Sequence, residues 1–149
     1  MRLFLDTNVV IDYAVATRPD HAAAHDAMRF CLQRGDTLVL ATSQVTDCYY
    51  ILHKYLGQQE TRSWLGKLLQ LCELVPTSPN ACVTALASPL PDFEDAVQVE
   101  TAREARCDYI LTRNQRDYAT SPLPFIDPAG LLALMREREQ APSAERSEN

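Results

Sequence analysis

An α/β fold, with a central parallel sheet and helices on both faces, is predicted by three features of this chain. Short apolar runs alternate with stretches of helical periodicity from one end to the other. Each run is strand-sized and is followed by a turn or capping residue. Acids and hydroxyls collect just past the ends of these runs, where ligands sit in open parallel sheets. Alternation of this kind places crossover helices between parallel strands, so a three-layer α/β/α arrangement with about five strands is expected.

Arg2 to Leu5 reads as the first strand, and Asn8 to Val15 opens a helix. Asp20 is placed to cap the next helix, where Ala23, Ala24, Ala27, Met28, Cys31 and Leu32 recur at helical spacing. Gly35-Asp36 turns into a second strand, Thr37 to Ala41. Ser43 is the expected N-cap of a helix to Leu56, ended by Gly57, and a further helix covers Glu60 to Leu71. Glu73 to Pro76 is a short strand, Ser78 begins a helix to Ala87, and Pro89-Leu90-Pro91 is a loop. Asp92 caps a helix to Arg106, which leads into the strand Asp108 to Leu111. Leu123 to Ile126 is the last strand, and Pro128-Ala129 starts a final helix to Glu139. Residues 140–149 are polar and aperiodic, the pattern of a disordered tail, so one domain spans residues 1–139.

Composition narrows the function. The chain has 149 residues, 46% of them hydrophobic and 23% charged, the balance of one ordinary globular domain. No apolar run reaches the roughly 18 residues a membrane span needs. The five cysteines are odd in number, widely spaced and form no C-x-x-C pair. They predict buried thiols in a reducing compartment, the cytoplasm, and argue against a zinc site or a disulfide framework. A net charge of −6 counts against simple electrostatic binding of duplex nucleic acid. It does not exclude an enzyme that gathers acids around divalent cations, which invert the local sign.

Acids stand at element ends in four parts of the chain. Asp6 follows the first strand directly, and Thr42-Ser43 follows the second, with Asp47 one helical turn later. Asp92 and Asp95 open the late helix, three residues apart and so on one face. Thr112-Arg113-Asn114 follows the DYIL strand, with Asp117 just beyond. Asp92 fits either an N-cap or a ligand, and Asp117 either a carboxylate of the site or the cap of a turn. Asp12, Asp26, Asp36 and Asp127 read as solvated or capping residues. His21 and His25 can share a helix face, but two imidazoles supply only half of a zinc site, so a solvated face is expected. No G-x-S-x-G elbow, phosphate-binding P-loop or G-x-G-x-x-G fingerprint is present.

The segments MRLFLDTNVVIDY, TSQVTDCYYILHK and DFEDAVQVETAREARCDYILTRNQRDY, in that order, resemble the PIN-domain family, in particular the VapC-type toxins of bacterial toxin–antitoxin pairs. The resemblance spans residues 1 to 135. It implies a parallel α/β fold whose clustered acids hold Mg²⁺ or Mn²⁺, and cleavage of single-stranded or loop RNA. It makes Asp6 the family's first acid and Asp95 the acid of the late helix. Asp47 stands where the family commonly has a glutamate, one methylene longer. Asn114 stands where a fourth acid is often found, keeping an oxygen but losing the charge, and Asp117 is the alternative carboxylate.

On this reading Asp6, Asp47, Asp95 and Asp117 are the candidate catalytic residues, and Asp6, Asp95 and Asp47 the metal ligands. Mg²⁺ takes oxygen ligands and keeps several waters, and bound water is activated for attack on a phosphodiester. Thr7, Asn8 and Thr112 would orient the carboxylates. Arg113 and Arg116 would meet RNA phosphates or else be ordinary surface arginines. The implied partners are an RNA substrate and an antitoxin that inserts a basic side chain among the acids. A homodimer is expected if Ala24, Met28, Tyr49 and Leu52 exceed what the core covers. The other readings are an RNA-processing nuclease without an antitoxin and a PIN-like protein that binds without cutting.

Overall fold

The computed structural model describes residues 1–140. Five strands, β1 (Arg2–Leu5), β2 (Thr37–Ala41), β3 (Cys72–Val75), β4 (Tyr109–Leu111) and β5 (Phe125–Ile126), form one sheet in the order β3-β2-β1-β4-β5. Every pairing is parallel, so all the carboxyl ends share one edge. Six helices connect and cover the strands: α1 (Thr7–Ala14), α2 (His21–Arg34), α3 (Thr42–Leu71), α4 (Pro79–Ala85), α5 (Phe93–Glu104) and α6 (Pro128–Gln140). The expected α/β/α layering is therefore present.

Strand alternation sorts the core into two halves. Leu3, Leu5, Leu38, Leu40 and Leu111 point to one face, where α1, α2, α3 and α6 cover them. Phe4, Val39, Ala41 and Ile110 point to the other, under α4 and α5. Successive strand residues face opposite sides, so three- to five-residue strands supply both halves at once. Ala24, Met28 and Leu52 lie fully inside the first half and Tyr49 packs half-buried against it. These four residues therefore belong to the core and its edge.

Several local expectations are corrected. Ser43 does not cap α3, since its hydroxyl pairs with that of Thr77 at 2.8 Å. The N-cap is Ala41, whose N–H donates to Gln44 Oε1 at 2.9 Å. The expected break at Gly57 is present: φ 74 and ψ 173 are non-helical and divide α3 into two helical segments, and the Thr61 hydroxyl donates to the Gly57 carbonyl at 2.7 Å as the second begins. Asp20 occupies the N-cap of α2 but makes no side-chain cap bond. β5 is shorter than expected because Pro124 has no N–H for the ladder, although its carbonyl accepts from Ile110. Gln140 closes α6 in place of opening a tail, and the remainder of that expected tail, residues 141–149, lies outside the described residues.

Two acids read as solvated or capping are buried in ion pairs. Asp12 is 1% exposed and bonded to Arg18 at 2.6 Å and Arg113 at 2.8 Å. Asp36 holds the N-terminal ammonium at 2.6 Å. Asp127, as expected of a cap, accepts from the Gly130 N–H. The histidine face is half-covered, not open. His21 Nδ1 lies 2.9 Å from the Asp12 carbonyl, and His25 stacks on Tyr13.

Candidate active site

The chain places β1 centrally, runs outward through β2 and β3, and returns to β4 on the opposite side. This reversal makes a crevice at the carboxyl ends of β1 and β4, where parallel α/β sheets bind ligands. Asp6 is the first residue past β1, and its N–H donates to the Leu111 carbonyl at 3.0 Å. Its carboxylate is therefore fixed between the two strands, 3% exposed.

A cavity of about 250 Å³ opens at this point. Asp6, Thr7 and Asn8 line one side, and Asp92, Glu94 and Asp95 come from the first turn of α5. Asn114 and Asp117 close it from the turn after β4, with Ile51 of α3 as its apolar member. Asp92 caps α5 through a 3.0 Å bond from the Asp95 N–H, so capping and cavity lining coincide in one residue. That cap sets the direction of the turn and so delivers both Glu94 and Asp95 to the cavity.

Two hydroxyls hold the principal acids. Thr112 donates from Oγ1 to Asp6 Oδ2 at 2.8 Å, and the same oxygen accepts from the Asn114 N–H at 3.1 Å. Tyr118, with 0% exposure, donates to Asp95 Oδ1 at 3.0 Å. Gln44, also buried, donates to the Leu5 carbonyl and to Thr7 Oγ1 while accepting from Ala41, which stiffens the strand ends behind Asp6.

Electrostatics mark the same place. Burial pushes the Asp6 carboxyl up to about 6; the Thr112 bond opposes this, and Asp95 and Glu94 add to it. Asp95 is raised by its burial, against the Tyr118 bond, with Asp92 and Asp117 adding repulsion. Glu94 is raised by burial and then by Asp47, Asp92 and Asp95. Burial, with these carboxylates, raises the Tyr118 hydroxyl far above its usual value, so it remains a donor.

The sequence-derived candidates thus separate. Asp6, Thr7, Asn8, Asp92, Asp95, Asn114 and Asp117 meet at the cavity, and Thr112 supports it from beneath. Asp47 is exposed on α3 outside the cavity lining, and its charge acts on Glu94. Arg113 turns to Asp12 and, at 3.8 Å, Asp20, and Arg116 is exposed in the same turn. Glu94 and Tyr118 join the site from outside those candidates. Glu94 adjoins Asp95 in the helix's first turn, a signal available once Asp92 is accepted as its cap.

The donor set suits a hard, oxygen-preferring cation. It offers carboxylates and amide oxygens, with buried Asp6 held above its usual range first by burial and then by the neighbouring charges of Asp95 and Glu94. Among the described residues, no three Asp, Glu, His or Cys side chains close into an all-protein ion cage. Mg²⁺ and Mn²⁺ do not require one, since Mg²⁺ is usually held by one or two carboxylates with waters retained.

A doubly covered parallel sheet with acids at its switch point defines the class, and the comparisons agree with it. Residues 2–116 match the PIN domain, and the chain belongs to the PIN-domain family. It is similar to VapC-type proteins: Ribonuclease VapC1 of Aquifex aeolicus (strain VF5) is 24% identical over 123 residues, 79% of this chain and 85% of that protein. The fold is shared with solved structures. VapBC2 from Rickettsia felis, bound to a DNA fragment from its promoter, matches with a TM-score of 0.68 and 16% identity, over 85% of this chain and 98% of that one. VapC20 of Mycobacterium tuberculosis, a toxin cleaving the sarcin–ricin loop, matches with a TM-score of 0.64 and 11% identity, over 78% and 93%.

Proposed function

We propose that this protein is a Mg²⁺- or Mn²⁺-dependent endoribonuclease, the toxin of a cytoplasmic toxin–antitoxin pair. The observation that carries this reading is the cavity in which buried Asp6 faces Asp95, Glu94 and Asp117 at the sheet's carboxyl edge. Acids placed so close repel one another, and a cation relieves that repulsion. When bound, the ion supplies positive charge for the scissile phosphate and activates a water.

The chain's own residues do the rest. Asp6 and Asp95 offer carboxylate oxygens, and Asp6 must give up any proton it carries before it can serve as a ligand. Asn8 and Asn114 present amide N–H groups to phosphate or ribose oxygens without adding negative charge. Ile51 gives the cavity wall an apolar surface for a nucleotide to lie against.

The relatives' names support the substrate and the partner. A basic antitoxin side chain set among these acids would neutralise them and occupy the crevice. Homodimerisation stays part of the proposal, with exposed Val83 on α4, Leu86 just past its end and Phe93 at the start of α5 as the apolar surface for a second copy. The deciding experiment is cleavage of total RNA by purified protein. Cleavage should require Mg²⁺ or Mn²⁺, stop with EDTA and vanish in Asp95→Asn. Intact RNA under all conditions would leave only the non-cleaving PIN-like reading.

A further inference from the structure

We infer that Tyr118 is a positioning residue that, together with Thr112, presents Asp6 and Asp95 through one oxygen each and so selects Mg²⁺ or Mn²⁺ over Ca²⁺. This rests on the metal reading above and extends it to a residue outside the cavity wall.

The seven residues from Thr112 to Tyr118 leave β4 and fold into consecutive turns, with Asp117 N–H bonded to the Asn114 carbonyl at 3.1 Å. Their two ends reach the two acids. Thr112 Oγ1 engages Asp6 Oδ2 at 2.8 Å, and Tyr118 Oη engages Asp95 Oδ1 at 3.0 Å. Both hydroxyls must donate, because an ionised carboxylate oxygen only accepts. Asp6 arrives on β1 and Asp95 on α5, so this turn spans acids from two separate elements.

The Tyr118 ring cannot drift. It is fully buried in the half-core with Phe4, Val39, Val99 and Ile110, and its centroid lies 6.4 Å from that of Phe125. A phenylalanine would fill that volume equally well, so the hydroxyl has no packing role. Its contribution is the bond to Asp95. A carboxylate whose rotation is fixed by a donor on one oxygen presents the other oxygen outward. Two such carboxylates suit a small octahedral ion at roughly 2.1 Å, whereas Ca²⁺, at roughly 2.3–2.6 Å, favours more numerous and often bidentate oxygens. Removing an orienting partner of this kind lowers metal affinity about 10–100-fold.

The test is calorimetric titration of the whole protein with MnCl₂, MgCl₂ and CaCl₂ separately, with Mn²⁺ electron paramagnetic resonance counting free ion. Tyr118→Phe should weaken Mn²⁺ and Mg²⁺ binding about tenfold and leave Ca²⁺ binding unchanged or tighter, narrowing the preference. Thr112→Val should narrow it likewise, and Thr112→Ser, which keeps the hydroxyl, should restore the wild-type ratio. The Thr112 pair decides the matter if Tyr118→Phe does not fold. Equal Mn²⁺-to-Ca²⁺ ratios in wild type and in folded Tyr118→Phe and Thr112→Val overturn the inference while leaving the metal site standing. Wild type that binds none of the three ions overturns the inference and the metal reading together.

Discussion

Helix α1 is flanked and occupied by two buried carboxylates with opposite surroundings. Asp6, at its N-cap, is 3% exposed, and Asp12, near its other end, is 1% exposed. Asp12 is held by two guanidinium groups, Arg18 at 2.6 Å and Arg113 at 2.8 Å. Asp6 has one hydroxyl and a backbone N–H on its side, and Asp95 and Glu94 facing it. A buried charge persists when it is paired, so Asp12 is explained by the fold alone. Asp6 is not. An acid buried among acids marks a site, whereas an acid buried among arginines marks a joint.

The two therefore respond oppositely to mutation. Asp6→Asn keeps the shape and an acceptor for Thr112 but removes a ligand charge. RNA cleavage should fall by about 10³-fold, the loss typical of one strong electrostatic contact. Single-turnover kinetics within tenfold of wild type would remove Asp6 from the centre of the site. Asp12→Ala should act on the fold instead, because it strands two arginine charges. Breaking a fully buried pair costs about 3–5 kcal/mol, and with both arginines partly in water a loss of about 2–3 kcal/mol is expected in urea denaturation. A change under about 0.5 kcal/mol, the size of an ordinary surface substitution, would show that Asp12 ties nothing together.

Acidity sets Asp6 apart in a second way. The Asp6 carboxyl stands at about 6 in the folded chain against 3.8 for the ordinary group, so the folded state holds a proton more tightly than the unfolded state. Stability from this group is fully present below about pH 4 and is lost as pH rises through about 6. The difference is worth about 2–3 kcal/mol, a little over two pKa steps of 1.36 kcal/mol. In EDTA, Asp6→Asn should then be the more stable protein at pH 7.5, and the gap should close at pH 4. Raised Asp95 and Glu94 act with the same sign. Saturating Mg²⁺ should restore wild-type stability at pH 7.5, and no such rescue should appear in Asp6→Asn.

Reading these roles from sequence succeeds where the signal is periodic and fails where it depends on contact. Leu3, Leu5, Leu38 and Leu40 alternate with Phe4, Val39 and Ala41, so the strands and their two faces follow from spacing. Asp6, Asp95 and Asp117 could be placed because a parallel sheet brings every strand's carboxyl end to one edge. Asp12 reads as a solvated acid in the sequence because its arginines lie 6 and 101 positions away, and no local pattern announces them. The Arg113–Asp12 pair is invisible to local pattern for the same reason. Tyr118 sits in a polar turn, and only the folded chain brings its hydroxyl under Asp95.

The smallest expected difference separates two acids that the sequence and the cavity lining rank in opposite orders. Asp47 holds the position of the family's glutamate, yet its side chain is exposed on α3 and absent from the cavity wall. Glu94 has no counterpart in that reading, yet it lines the cavity and is held above its usual range by burial before any neighbour's charge. Both side chains are exposed, but Asp47 acts from outside the cavity through a field that salt screens over about 10 Å at 0.1 M ionic strength, whereas Glu94 acts at short range from the cavity wall. Asp47→Asn should therefore lower cleavage by less than about tenfold, under 1.4 kcal/mol, and the deficit should shrink as KCl is raised from about 0.05 to 0.5 M. Glu94→Gln should retain its deficit across the same range. Gln98 Nε2, 3.3 Å from Glu94 Oε1, can still donate to the new amide's oxygen, so the fold is not at stake. Comparison of kcat/KM for both variants at the two salt concentrations decides it. A salt-independent loss of about 10²-fold or more in Asp47→Asn, with Glu94→Gln near wild type, would return Asp47 to the cation's side and demote Glu94 to the rim.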